Sequence, residues 1–118
     1  MEIKDLMNKI GYSFKKPELL KLALTHSSYA NEKRLKDGYN ERIEFLGDAV
    51  LELVTSEFLY NNYPKMPEGE MTKTRASIVC EPTLALCAAE FSLGEYLYLG
   101  HGEEMSGGRG RASIVSDA

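Results

Sequence analysis

The spacing of apolar residues is the first guide to the structure of this 118-residue chain. Over most of the sequence they recur every three to four positions, the period of an amphipathic α-helix. No segment alternates apolar and polar residues for long, so the sequence predicts an all-α fold. Helices are predicted near residues 3–10, 17–25, 40–60, 69–79 and 82–91, and a last one begins at the ASIVSDA segment. Between these last two lie a short apolar segment, Leu93–Leu99, and a glycine-rich loop, GHGEEMSGGRGR.

The predicted helix over residues 40–60 carries an acidic stripe. Four acids follow each other at i, i+3, i+7 and i+11, namely Glu41, Glu44, Asp48 and Glu52. At about 100° per residue they share an arc of roughly 80° on one helix face. The other faces are largely apolar, which predicts a helix at the centre of its domain. Glycine and aspartate are poor mid-helix residues, yet Gly47 and Asp48 sit beside the other acids.

The stripe has two interpretations. Water can solvate an acidic face, or carboxylates one turn apart can converge on divalent cations, as in sites that cleave phosphodiesters with paired metals. The spacing alone leaves both open.

Composition and charge argue against some classes of protein, such as membrane-spanning proteins and strongly basic nucleic-acid-binding proteins. With 43% hydrophobic and 27% charged residues and a net charge of −4, the chain is expected to form one globular domain over residues 1–118 and not to bind nucleic acid simply by being basic. Residues 1–40 carry a net charge of +3, residues 41–70 carry −5 and residues 71–118 carry −2. No apolar run is long enough for a membrane span and no signal-peptide core begins the chain, so we expect a cytoplasmic protein. The two cysteines, Cys80 and Cys87, are expected to be ordinary buried thiols.

Four segments, in order, resemble motifs of the ribonuclease III family. They are ALTHSSYANE, NERIEFLGDAVLELV, MPEGEMTKTRASIV and SGGRGRASIVSDA, and together they extend over almost the whole chain. The resemblance implies an all-helical catalytic domain that forms a homodimer and cleaves double-stranded RNA with Mg²⁺, or with Mn²⁺ in its place. Its products would carry 5′-phosphate and 3′-hydroxyl ends, and its role would be in rRNA or mRNA processing.

The resemblance also implies roles for individual residues. Glu44, Asp48 and Asp117 match acids of the family's metal site and are the expected catalytic residues. Glu41 and Glu68 match further acids with a supporting role, and Phe45 matches the aromatic residue of the dimer interface.

The chain departs from the family pattern at its end. Asp117 opens a DxxE pair whose glutamate would come after Ala118, the last residue. The chain is therefore expected to be a truncated catalytic domain that cleaves RNA weakly or not at all, and it lacks the double-stranded-RNA-binding domain that family members typically add. The candidates for contacts with the RNA backbone are Lys73, Arg75, Arg109 and Arg111, although each could equally be a solvated surface charge.

Two other interpretations compete with a truncated nuclease. The chain could be a catalytically dead module that dimerises or binds RNA, but dead relatives should have lost the acids at positions 44, 48 and 117. It could also be a naturally short family member, which the missing glutamate disfavours. The glycine-rich loop lacks the ending of a phosphate-binding P-loop, so no nucleotide cofactor is expected. His26 is expected to have a structural rather than a catalytic role.

Overall fold

The computed structural model describes residues 2–36 and 38–118 of the chain. These residues form eight α-helices, α1 (Ile3–Ile10), α2 (Pro17–Leu24), α3 (Ser27–Lys33), α4 (Glu41–Asn62), α5 (Glu68–Ile78), α6 (Glu81–Glu90), α7 (His101–Met105) and α8 (Ala112–Asp117). Two 3-10 helices, Leu93–Tyr96 and Gly108–Gly110, flank α7. The described part contains no β-strand, only an isolated bridge between Thr25 and Tyr98, so the predicted all-α fold is confirmed.

The core lies where α1, α2, α6 and α8 meet the segment after α6. Its most deeply buried side chains are Leu6 and Leu24, and α8 adds Ile114 and Val115. The segment 96–99 crosses this core, since Tyr98 accepts a hydrogen bond from the backbone N–H of His26 and donates one to the carbonyl of Leu24. This crossing joins the first two helices to the C-terminal half of the chain.

Two helices form that the apolar repeat did not predict. The segment of α3 has no apolar repeat, but His26 caps its start, because the imidazole Nδ1 accepts a hydrogen bond from the N–H of Ser28 at 3.1 Å. The structural role expected for His26 is therefore confirmed. The second is α7, which together with the 3-10 helix Gly108–Gly110 occupies the segment predicted to be a glycine-rich loop. There Glu32 accepts a hydrogen bond from the N–H of His101 at the start of α7.

The prediction that α4 lies at the centre of its domain is wrong for this chain. Only Thr55 and Leu59 of its 22 residues are buried. Phe45 is 82% exposed and Leu53 is 68% exposed, because no other part of the described chain covers these faces.

The prediction of two buried thiols is also wrong. Cys80 is half-buried, and its thiol interacts with the hydroxyl of Thr83 at 3.2 Å. Cys87 is exposed, because it lies on the face of α6 that lines an open cavity.

A cavity edge lined by three carboxylates

One cavity of about 650 Å³ lies between α1, α2, α4, α6 and α8. Most of its wall is apolar, with Leu20 from α2, Leu51 from α4 and Leu84 from α6. Acidic side chains line it as well, Glu44 and Asp48 from α4, Asp117 from α8 and Glu81 from the first turn of α6. The structure thus brings together the three acids that the sequence analysis singled out as metal ligands, although Asp117 comes 69 positions after Asp48 in the sequence.

The electrostatics of this cavity edge centre on Glu44. Partial burial contributes most to raising the pKa of its carboxyl group, and the charge of Asp117 comes next. A hydrogen bond to Asp117 and the charges of Asp48 and Glu41 raise the pKa further. Glu44 and Asp117 are therefore near neighbours, although they belong to different elements.

The three acids share the cavity edge without forming a closed cluster. Within residues 2–36 and 38–118, no three histidine, cysteine, aspartate or glutamate side chains are arranged to hold a metal ion. Instead, Glu44 lies near each of its acidic neighbours, Asp117, Asp48 and Glu41, as separate pairs.

On its other side the acidic face of α4 borders an open groove. Glu41, Glu44 and Asp48 line this groove together with the segment before α4. There the hydroxyl of Tyr39 donates a hydrogen bond to the Glu41 carboxylate at 3.0 Å, and the pKa of Tyr39 is raised mainly by this bond. Sequence analysis missed Tyr39, because a tyrosine two residues before a helical acid carries no pattern of its own.

The predicted supporting acid Glu68 lies elsewhere. It is exposed at the first turn of α5 and lines a separate cavity between α4 and α5. Arg75 lines the same cavity and donates a hydrogen bond from Nη1 to the Ser56 hydroxyl at 2.9 Å. The structure therefore does not bring Glu68 to the cavity that holds Glu44.

The four cations predicted to contact RNA differ in their exposure and in their bonds to other residues of the chain. Lys73 is exposed on α5, whereas Arg75 is half-buried against α4. Arg109 pairs with Glu104 at 3.0 Å, and Arg111 pairs with Glu103. Both arginines of the glycine-rich segment thus form ion pairs within the chain.

Comparisons with known proteins converge on one family. Residues 16–118 match the Ribonuclease-III-like family. The protein called Ribonuclease 3 of Clostridium tetani is 55% identical over 118 residues, covering 100% of this chain and 50% of that protein. Ribonuclease 3 of Oceanobacillus iheyensis is 56% identical over 121 residues, covering 100% of this chain and 52% of that protein. The chain thus spans about half the length of these curated relatives.

The fold has solved counterparts as well. One is the nuclease domain of ribonuclease III from Campylobacter jejuni, described for structural flexibility in a region involved in dimer formation. It is similar with a TM-score of 0.90 and 41% identity, over 98% of this chain and 78% of that one. A second structure of the same nuclease domain is similar with a TM-score of 0.88. The helical fold described above is thus that of ribonuclease III nuclease domains.

Proposed function

This chain belongs to the Ribonuclease-III-like family, and from that membership we propose that it is an endoribonuclease domain that hydrolyses double-stranded RNA. The observation that carries the proposal is the meeting of Glu44 and Asp48 of α4 with Asp117 of α8 at one cavity edge. We propose 5′-phosphate and 3′-hydroxyl product ends and a role in processing rRNA or mRNA.

The donor chemistry of the cavity edge fits a hard divalent cation. Carboxylate oxygens are the ligands that Mg²⁺ prefers, and Glu44, Asp48 and Asp117 would hold it. Partial burial, and then the charges of nearby acids, raise the pKa of Glu44, and a cation would relieve the repulsion between the acids. Bound Mg²⁺, or Mn²⁺ in its place, would supply an acidified water near neutral pH and charge stabilisation on the leaving 3′ oxygen.

The residues of the chain itself have separate tasks in this proposal. The Glu44 side chain is partly buried where α4 faces Asp117 of α8. Its carboxylate is therefore preorganised at the cavity. Glu41 is fixed by Tyr39 at the mouth of the groove and supports the site from the preceding turn. Glu68 and Arg75 lie at the second cavity, and with the exposed Lys73 they would face the RNA beyond the cleavage point.

We also propose that the protein acts as a homodimer. The exposed apolar side chains of α4 include Phe45, Leu46, Val50, Leu53, Val54 and Phe58. Monomers rarely leave so large an apolar surface open to water, and a second copy of α4 would cover it.

A cleavage assay tests the activity. We expect a version of the chain extended through the glutamate of the DxxE pair to shorten a long RNA duplex at millimolar Mg²⁺, to leave single-stranded RNA of the same sequence largely intact and to stop when Mg²⁺ is chelated. The 118-residue chain itself is expected to cleave weakly or not at all. Glu44→Gln should lower the rate by a factor on the order of 10² or more, because the amide cannot provide the charge of the carboxylate.

The matched control is Glu90→Gln, which removes the same charge from an exposed position of α6 outside the cavity. Its cleavage rate should stay within about twofold of that of the parent. The proposal fails if the extended chain leaves the duplex intact at every Mg²⁺ concentration, or if its Glu44→Gln and Glu90→Gln variants cleave equally fast.

A further inference from the structure

We propose that Arg109 is a positioning residue for the carboxylate site, and not a contact to the RNA backbone. Its guanidinium group ties the turn before α8 to the segment after α6, and this tie sets where Asp117 lies relative to Glu44. The inference rests on the proposed function, because it assigns a task to Arg109 in the same site.

The hydrogen bonds of Arg109 all stay inside the chain. Nη1 donates to the carbonyl oxygens of Gly94 at 3.1 Å and of Leu97 at 2.7 Å. Nε donates to the carboxylate of Glu104 at 3.0 Å. One side chain therefore joins three segments, the 3-10 helix Leu93–Tyr96, α7 and the turn before α8. A guanidinium has a fixed fork of donors, so its plane defines the relative position of the groups it bonds.

The backbone at this tie is packed so closely that only glycine fits. A Cβ atom on Gly94 would lie 2.2 Å from the carbonyl oxygen of Arg109. A Cβ atom on Gly108 would lie 2.7 Å from Cγ of Glu103, the residue that pairs with Arg111. The turn before α8 is therefore held in two ways. Its backbone packs closely at Gly94 and Gly108, and the guanidinium of Arg109 adds hydrogen bonds to the same segments.

The turn leads directly into the helix that carries Asp117. The carbonyl of Arg111 accepts hydrogen bonds from the N–H groups of Ile114 and Val115, which begin α8. Both side chains are buried in the core against α6. Asp117 follows two residues later at the cavity edge. Within the described residues, α8 is placed by its packing on α6 and by the 3-10 helix of the turn before it.

The geometry argues against the alternative, in which Arg109 binds an RNA phosphate. The half-buried guanidinium already has acceptors on both Nη1 and Nε. A bidentate phosphate contact would need Nη1 or Nε in addition to Nη2, and taking Nη1 would leave the carbonyl of Leu97, a buried residue, without its partner.

The test compares four variants of the full chain, Arg109→Ala, Arg109→Lys, Gly94→Ala and, as control, Lys4→Ala on the exposed face of α1. Three quantities are measured for each. They are the Mn²⁺ dissociation constant by titration calorimetry, the hydrogen-exchange rates of the α8 amides, and the affinity for a duplex RNA in Ca²⁺ at several salt concentrations.

We expect Arg109→Ala to weaken Mn²⁺ binding roughly tenfold, in line with the loss of residues that orient metal ligands. The amides of Ser116 and Asp117 should exchange faster. Gly94→Ala should act in the same direction without any change of charge, and Arg109→Lys should recover part of the loss because an ammonium can still donate to one carbonyl. RNA affinity and its salt dependence should match those of Lys4→Ala.

Two results would overturn the inference. One is an unchanged Mn²⁺ affinity and unchanged α8 exchange in Arg109→Ala. The other is an RNA affinity whose logarithmic salt slope falls by about 0.9, the value for one lost phosphate contact. If Arg109→Ala does not fold, Arg109→Lys and Gly94→Ala decide the outcome. If the parent protein binds no Mn²⁺, the proposed function fails, and the exchange rates of α8 still show whether Arg109 holds that helix.

Discussion

Glu44 is an acid whose surroundings in the folded chain disfavour its ionised form. Burial raises the pKa of its carboxyl group first, and three acidic neighbours, Asp117, Asp48 and Glu41, raise it further. The folded protein therefore binds the proton of Glu44 more tightly than the unfolded chain does. Perturbed acids of this kind are characteristic of functional sites, where charges are held together at a cost in stability.

This cost predicts a stability gain in Glu44→Gln. The pKa of Glu44 in the folded state is raised above its ordinary value of 4.5, so the folded state loses stability as pH rises through that range. The substitution should therefore stabilise the protein at pH 7, and the gain should vanish below the unfolded pKa. Removing one like-charged i,i+4 neighbour of Asp48 contributes about 0.2–0.5 kcal/mol of this gain. Urea unfolding at pH 7 and pH 4 measures it.

Glu90→Gln is again the control, since it removes an exposed acid of α6 that does not line the cavity. Its effect on the free energy of unfolding should be within about 0.5 kcal/mol at both pH values. A loss of stability for Glu44→Gln at pH 7, or an equal effect at both pH values, would contradict the prediction. Glu44→Gln should thus be more stable than the parent in urea unfolding and less active in the cleavage assay.

At the scale of elements, the start of α4 is fixed to the end of α2 by Asn40. Its side-chain amide donates to the carbonyl of Ala23 at 3.0 Å, and its backbone N–H donates to the carbonyl of Thr25 at 3.0 Å. Its own carbonyl accepts the N–H of Glu44 at 2.8 Å, the first hydrogen bond of the helix. Asn40 is only 8% exposed, so these bonds are shielded from water. This joint determines where the acidic face of α4 lies relative to α2.

Asn40→Ala should therefore destabilise the protein by about 1–3 kcal/mol, because it leaves the carbonyl of Ala23 without its donor. Asn40→Asp should be at least as destabilising, since a carboxylate cannot donate to a carbonyl. Denaturant unfolding measures both. Asn31→Ala, at an exposed position of α3, should change stability by less than about 0.5 kcal/mol. A smaller loss of stability for Asn40→Ala than for Asn31→Ala would show that the hydrogen bonds of Asn40 do not stabilise the fold.

At the scale of the whole molecule, the chain is elongated. Its extents are 51 × 31 × 26 Å and its radius of gyration is 15.9 Å, above the roughly 13.5 Å expected for a compact chain of this length. Tyr60 adds a further exposed aromatic ring to the apolar side chains of α4, the helix against which α5 packs. No helix of the described residues is long and apolar enough to cross a membrane.

The proposed dimer predicts a concentration-dependent association that Phe45→Ala weakens. Phe45 is 82% exposed, so its truncation should leave the stability of the isolated chain nearly unchanged. At a well-packed interface the same truncation costs about 2 kcal/mol or more of association energy, because aromatic anchors carry most of the binding. Sedimentation equilibrium measures the dissociation constant.

Leu86→Ala is the matched control, since Leu86 is 71% exposed but lies on α6, away from the α4 surface. It should leave the dissociation constant within about twofold. A parent protein that stays monomeric at high concentration, or equal effects of Phe45→Ala and Leu86→Ala, would contradict the proposed interface.

Several features could be predicted from the sequence because they depend on local spacing. The bounds of α1, α2 and α6 follow from the helical repeat and from the prolines at positions 17 and 82. The acidic stripe of α4 follows from the fixed rotation per residue of a helix. The four family motifs predicted the fold and the family, both of which the comparisons confirm. The roles of Glu44, Asp48 and Asp117 stay a prediction, although the structure places all three at one cavity.

Tertiary structure decided what local spacing cannot express. The burial of α4 depends on which elements cover it, and in this chain few do, so a helix with apolar residues around most of its circumference lies largely exposed. The sequence determined that Arg109 is a cation in a glycine-rich segment, and long-range contacts decided that it bonds to Gly94 and Leu97. The physical reason is the same in both cases. A helical period is set by the neighbouring residues, whereas burial and hydrogen-bond partners are set by residues that only the folded chain brings near.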